Sequence, residues 1–292
     1  METGQKLRIA QFNAGLRFGY NASNVLTMFS ALHRISIAAL LIFSLQIACV
    51  GEMVPVKHPE GLTLGFLVLR TVDGKTIAHG TWRQNLKNNV VQDVLRFDFD
   101  DGSVFEETTR FTQRKQFRLL SDQLLEKGPA FKHQTVSAID VASGKITIRR
   151  DVNGKSSENT SHLAIPNDVS NGLLFVLAKN INPHAETVVP MVAAAEKPRM
   201  VELHISPAEG RQIKVGSVFY PTYHFVVKVK IEGVAGVVAP LIGKKPPDAH
   251  LWILEGETPT FIEYEGPLSE DTPVWRIELA APAPDSPNAK TN

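Results

Sequence analysis

Val94-Leu-Arg-Phe-Asp-Phe-Asp-Asp-Gly-Ser-Val-Phe-Glu-Glu-Thr-Thr-Arg-Phe111 decides the fold. Phe97 and Phe99 alternate with Arg96, Asp98 and Asp100, so one face of this segment is apolar and the other charged. After Asp101-Gly102, Phe105 and Thr109 alternate with Glu106 and Arg110 in the same way. An Asp-Gly pair accepts the positive φ angles of a two-residue hairpin loop. Two period-two segments joined by such a loop make an antiparallel pair, covered on one side and wet on the other.

The same punctuation recurs along the chain. Asp73-Gly74 turns Leu62 to Arg70 back into Thr76 to Trp82. Ser143-Gly144 separates Val136 to Val141 from Ile146 to Arg149, and Asn153-Gly154 leads into Ser157 to Ile165. Further strand-like segments follow at Thr187 to Ala195, Met200 to Ile205, Gln212 to Phe219, Tyr223 to Ile231, Ala249 to Leu254, Thr260 to Tyr264 and Val274 to Leu279. No glycine-rich nucleotide loop opens a helix, and the alternation of strand and helix that builds a doubly wound sheet is missing. The sequence therefore predicts a mainly β fold. It is a curved antiparallel sheet, half-barrel or sandwich-like, with one or two short amphipathic helices, formed as one domain by residues 52–280. Residues 281–292, rich in Pro, Ala, Asp and Asn, read as a disordered tail.

Two segments break the strand pattern. Pro166 to Pro183 opens on the capping candidates Asp168 and Ser170 and carries Val169, Leu173, Leu174, Val176, Leu177 and Ile181 as an apolar stripe at helical spacing. This helix is expected to lay its stripe on the covered face of the sheet. In Gly233 to Gly243, Val237, Val238, Leu241 and Ile242 also fall at helical spacing, ahead of Gly243, Lys244 and Lys245. Two readings stay open: a strand or short helix plugging the core, and an apolar flap over a lipid-like ligand.

The N-terminal region bears on location. Ile35 to Ala48 is a run of 14 uncharged residues after His33 and Arg34 and before Cys49. A bilayer span needs about 20 residues, so the run suits the apolar core of a secretory signal better. Residues 28–51 are expected to be a signal peptide or membrane anchor, with Met28 as the functional start and 1–27 as a mis-assigned or disordered extension. Cys49-Val50-Gly51 offers small residues for signal cleavage. Alternatively Cys49 is acylated, since Ala48 suits a lipobox although Gln46 does not. The expected setting is export, to the periplasm or anchored facing it, with membrane association through residues 35–49.

Cys49 is the single cysteine, so the exported part folds without internal disulfides. With 31 Lys and Arg against 30 Asp and Glu, the charge balance carries no footprint of a nucleic-acid partner.

Catalytic patterns are sparse. Among nine histidines, Glu202-x-His204 shares a strand face, and His224 with Glu263 or Glu265 could complete a metal site. No His-x-His or His-x-x-x-His spacing accompanies them, and isolated strand histidines usually serve the surface. Glu106-Glu107, or Glu263 with Glu265, could in principle flank a glycoside, but solvated strand faces are the favoured reading. Ser121, Ser206 and Ser217 have no placed base, and no nucleophile elbow is present. No cofactor, metal or catalytic residue is assigned, and a non-catalytic role is favoured over an enzyme.

A family likeness rests on Phe97-x-Phe-x-Asp-Gly-Ser103 with Glu107-Thr108, on the Pro166 to Asn182 helix, and on three C-terminal runs. These are Gly243-x-x-Pro-Pro-Asp-x-His-x-Trp252, Glu265-Gly-Pro-Leu268 and Pro273-Val-Trp-Arg-Ile277. In these the chain, over most of Leu62 to Leu279, resembles a group of bacterial exported proteins with a domain of unknown function. That group is similar in turn to LolA/LolB-type lipoprotein carriers. The resemblance implies a curved half-barrel closed by helices and an envelope setting, and it brings no active site. The resulting expectation is an envelope protein holding a lipid or other apolar molecule in its curved sheet. Leu64, Phe66, Phe97, Phe99, Phe105, Phe111, Phe225 and Leu174 would form its lining or core. An envelope structural component and an enzyme acting on an envelope polymer are the alternatives.

Overall fold

Positive backbone φ angles at Gly74 (93°), Gly102 (83°), Gly144 (66°) and Gly154 (76°) set four hairpins where the sequence places them. A fifth turn uses Asn88 (51°) and Asn89 (63°), the non-glycine residues that best tolerate this region. The computed structural model describes residues 53–152, 154–215, 217–230 and 246–280. The apolar run, Cys49, the terminal segments and the candidate flap residues Val237, Val238, Leu241 and Ile242 lie outside the described residues.

Through these turns the first half of the chain forms β1 (Thr63–Thr71), β2 (Thr76–Lys87), β3 (Val90–Phe99), β4 (Val104–Gln113), β5 (Phe117–Lys127), β6 (Gln134–Asp140), β7 (Lys145–Val152) and β8 (Lys155–His162). A short helix, α1 (Leu174–Ala178), follows. The second half contributes β9 (Thr187–Ala193), β10 (Arg199–Ala208), β11 (Gln212–Val215), β12 (Val218–Lys230), β13 (Ala249–Leu254), β14 (Thr260–Gly266) and β15 (Trp275–Leu279).

All of them join one antiparallel sheet in the order β8-β7-β6-β5-β4-β3-β2-β1-β15-β14-β13-β12-β10-β9, with β11 paired to β12. The first half meanders outward from β1 to the β8 edge. The chain then crosses the concave face through α1 to the opposite edge at β9 and works back until β15 pairs with β1, Leu67 facing Leu279 and Leu69 facing Ile277. One curved, open sheet results, with almost no helix.

The concave side is the core. Phe97, Phe105, Phe111, Phe225, Phe261, Ile205, Leu251 and Leu173 are essentially sealed. Both arms contribute to shared aromatic contacts. Phe99 on β3 lies 5.4 Å from Trp275 on β15, and Trp82 on β2 lies 5.8 Å from Phe261 on β14, edge to face in the second case.

Four details differ from the sequence reading. The helix is one turn, Leu174–Ala178, in place of a span from Pro166; Ser170 donates to the carbonyl of Pro190 (2.8 Å) and no side chain caps α1. The stripe is buried nevertheless, because turns as well as helix press it onto the sheet. Leu64 and Phe66 point outward and are 59% and 62% exposed, since Leu67 and Leu69 hold the inward phase of β1. Gln212 to Phe219 is a hairpin of β11 and β12, not one strand. Strand β5 has no counterpart in the sequence reading. A register shift in the β4–β5 ladder at Arg110/Phe111 disturbs its alternation, and its later inward positions are acidic.

Candidate functional site in the concave face

Inward-facing acids are the unusual feature of this core. On β3, Asp93 precedes Leu95, Phe97 and Phe99 in the same phase; on β4, Glu107 sits between Phe105 and Thr109; on β5, Asp122 and Glu126 flank Leu124. Alternation alone carries these carboxyls into the sheet's interior. The segment crossing the concave face then covers them.

One polar cluster ties that segment down, and a second lies beneath it. In the first, Asp93 accepts hydrogen bonds from Trp82 Nε1 (2.6 Å) and Gln84 Nε2 (2.9 Å). Lys179, one residue past α1, pairs with Glu60 at 2.6 Å and stands 5.3 Å over the Trp82 ring. Gln113 clasps the backbone of Glu60 in both directions at 2.6 Å. Asn180, fully buried, accepts from the backbone N–H groups of Lys57 and His58 and donates to the Val176 carbonyl. In the second cluster Thr109 donates to Asp122 at 2.9 Å, directly beneath Gly172.

Burial raises these carboxyls. Asp93 is pushed up to about 7 against the opposing hydrogen bonds of Gln84 and Trp82. Asp122 rises to about 6, with the Thr109 hydroxyl pulling the other way. Glu107 stands well above the usual range, first through burial and then through the charges of Asp122, Asp93 and Glu126. Glu126 is raised by burial as well.

Glu107 combines two properties. It faces inward between Phe105 and Thr109, which are 1% and 2% exposed, yet it keeps partial accessibility. Leu95 and Leu124 lie opposite it on the neighbouring strands. Leu124, Leu174 and Phe175 also face inward and keep partial accessibility. Phe175 contacts Phe261 (4.4 Å), Tyr264 (5.5 Å) and Trp82 (5.9 Å). Tyr264 spends its hydroxyl on the Pro267 carbonyl at 2.8 Å, and burial pushes its pKa up, keeping the phenol neutral. The arrangement is an apolar wall with one carboxyl whose pKa is raised, first by burial, and which has no hydrogen-bond partner among the described residues. It can solvate an apolar body and hydrogen-bond one polar group.

The residues singled out in sequence do not assemble a catalytic or metal centre. Glu202 and His204 do share a face, but His204 meets Glu202 through Nε2 (3.0 Å) and Glu186 through Nδ1 (3.2 Å). His224 lies opposite Ala208 while His204 lies opposite Lys228, which separates the two histidines by about 13 Å along the ladder. Glu263 and Glu265 lie on the convex side and hold Arg276 at 3.6 and 2.7 Å. Glu106 and Glu107 occupy opposite faces, Glu106 being paired with Arg96 at 2.8 Å. No group of three His, Cys, Asp or Glu suited to a metal ion occurs among the described residues.

Sequence reading missed Asp93, Lys179, Glu60 and Asn180. For Asp93 the signal was present: an acid in phase with a run of buried aromatics. Lys179 and Asn180 carried no such signal, because their partners come from the far end of the chain.

No family model matches the chain, and no curated protein matches it. Among solved structures it is similar to a beta-barrel-like protein of domain of unknown function DUF1849 from Brucella abortus, at 9% identity and a TM-score of 0.36. The alignment covers 79% of this chain and 98% of that one. That description names no ligand, no reaction and no lipoprotein carrier.

Proposed function

We propose that this is an exported envelope protein that takes up an apolar molecule with one hydrogen-bonding end. The body of the ligand lies between Leu95, Leu124, Leu174 and Phe175, and its polar end meets Glu107. The observation carrying the reading is the partial accessibility of Glu107, Leu124, Leu174 and Phe175, which face inward among sealed neighbours. Apolar sites with a few placed polar groups are the usual form of a small-molecule site. The 14-residue run Ile35 to Ala48 supports export, and the likeness to LolA/LolB-type carriers read from the sequence agrees with such a ligand. A structural role in an envelope assembly is the second reading, favoured by the outward Leu62, Leu64 and Phe66.

Native mass spectrometry of the full chain purified from membranes and periplasm tests the first reading. A bound apolar species is expected, lost in Leu124→Arg and weakened in Glu107→Leu. Repeatedly empty protein that also fails to take up a fluorescent fatty acid would overturn it.

A further inference from the structure

On the convex side, away from the core, β12 and β13 bring together two histidines that lie 26 residues apart. His224 stands opposite Trp252, and His250 is its diagonal neighbour. The His224 Nδ1 lies 3.0 Å from the Glu209 carbonyl oxygen. A carbonyl only accepts, so Nδ1 carries the ring proton, and the lone pair of neutral His224 sits on Nε2. That lone pair points at His250 Nδ1, 3.0 Å away. Trp252 stacks on His224 with centroids 4.5 Å apart and planes 6° from parallel, which fixes the ring's plane. Fixing one nitrogen of a histidine by a backbone carbonyl is the arrangement that orients metal-ligating imidazoles.

We propose that His224 and His250 form a surface site for a divalent d-block cation, Cu(II) in preference to Zn(II). Two imidazole nitrogens bonded at about 2.0 Å and at right angles to one cation lie about 2.9 Å apart; a tetrahedral ion sets them at about 3.3 Å. The 3.0 Å separation is that of an N–H···N hydrogen bond and brings both nitrogens within reach of one ion; the preference for Cu(II) rests on its higher affinity for imidazole nitrogen among the divalent first-row ions. On binding, the His250 Nδ1 proton moves to His250 Nε2, and the His250 side chain swings aside until its freed Nδ1 lone pair and that of His224 Nε2 converge on the ion. Water fills the remaining positions, because Glu263 and Glu265 are committed to Arg211 and Arg276. Arg211, stacked 4.4 Å over Trp252, brings positive charge nearby, and its ion pair with Glu263 offsets it.

The test is a Cu(II) titration of the full chain, followed by tryptophan fluorescence and by electron paramagnetic resonance. Trp82 and Trp275 are buried, so quenching of Trp252 reports on this site. Saturable quenching at one equivalent and a spectrum with two coordinated nitrogens are expected. His224→Gln and His250→Gln, with unchanged circular dichroism, should weaken it at least tenfold, while His204→Gln should leave it intact. Zn(II) should compete only at higher concentration. Wild type and His250→Gln binding Cu(II) with equal affinity, or no quenching at all, would overturn the site.

Discussion

Asn159 Nδ2 donates a 2.8 Å hydrogen bond to the Glu196 carbonyl, and this contact joins the two free ends of the sheet. Asn159 lies on β8, the outermost strand of one arm, and Glu196 follows β9, the outermost strand of the other. The sheet therefore curls until its edges meet, but a side chain spans the seam in place of a ladder.

Removing that contact should loosen one edge and leave the core alone. Asn159→Ala is expected to cost about 1 kcal/mol, the ordinary net worth of a hydrogen bond. Its signature should be faster hydrogen exchange across Lys155–His162 with unchanged protection in β3 and β4. Unaltered exchange in β8 would mean that the seam does not restrain the edge.

The Lys179–Glu60 pair should behave differently, because its side chains are only 11% and 5% exposed. Lys179→Met leaves the Glu60 carboxylate buried without its cation. Breaking a buried pair from one side costs about 3–5 kcal/mol. Adding Glu60→Gln to Lys179→Met should recover most of the loss. Denaturant midpoints would check this, and a double variant no more stable than the single one would show that the pair is not the source of the penalty.

How much of this was legible in sequence follows from where each partner comes from. Hairpins at Asp73-Gly74, Asp101-Gly102, Ser143-Gly144 and Asn153-Gly154 are local, and the four glycines adopt the backbone that the loop chemistry demands. Phe97 and Phe99 announced an inward face by alternation alone. The pairing of β1 with β15 is another matter, since nothing near Leu67 indicates that Leu279 will lie beside it. Interior acids were hidden for a related reason. Glu107 beside Glu106 looks like a solvated pair until the phase set by Phe105 and Phe111 is used to separate them. His250 was passed over because it reaches His224 only through the β12–β13 register.

Gly172 lies where the crossing segment comes close against the acidic floor. Its φ is +64°, and a Cβ there would collide with Thr109 Oγ1 and press on Asp122. Gly172→Ala should therefore combine backbone strain with a displaced segment and cost about 2 kcal/mol or more. Gly154→Ala makes a fair control, with φ +76° and open space around the added carbon. Equal thermal shifts in the two variants would show that close packing at Gly172 contributes nothing beyond its dihedral angle.

Acidification should stabilise this protein. Asp93 moves from an ordinary 3.8 to about 7 in the fold and Asp122 to about 6, while Glu107 and Glu126 are raised as well. Between about pH 4 and 7 the folded chain thus holds protons that the unfolded chain has released, so stability falls as pH rises through that window. Below it both states are protonated at these sites and the full stabilisation is present. The lowered carboxyls Asp73, Asp101, Asp140 and Glu186 act in the opposite sense, but they are exposed and lose their effect only below about pH 4. Half-buried His224, lowered by burial, opposes the trend as pH falls below its ordinary value and is one group against four. The melting temperature should accordingly be higher at pH 5 than at pH 8, by about 2–4 °C for each kcal/mol involved. Asp93→Asn removes the group nearest neutrality and should flatten the profile between pH 6 and 8. If wild type melts at the same temperature at both pH values, the interior carboxyls are not raised in the fold; if Asp93→Asn keeps the full slope, Asp93 is not the group that titrates near neutrality.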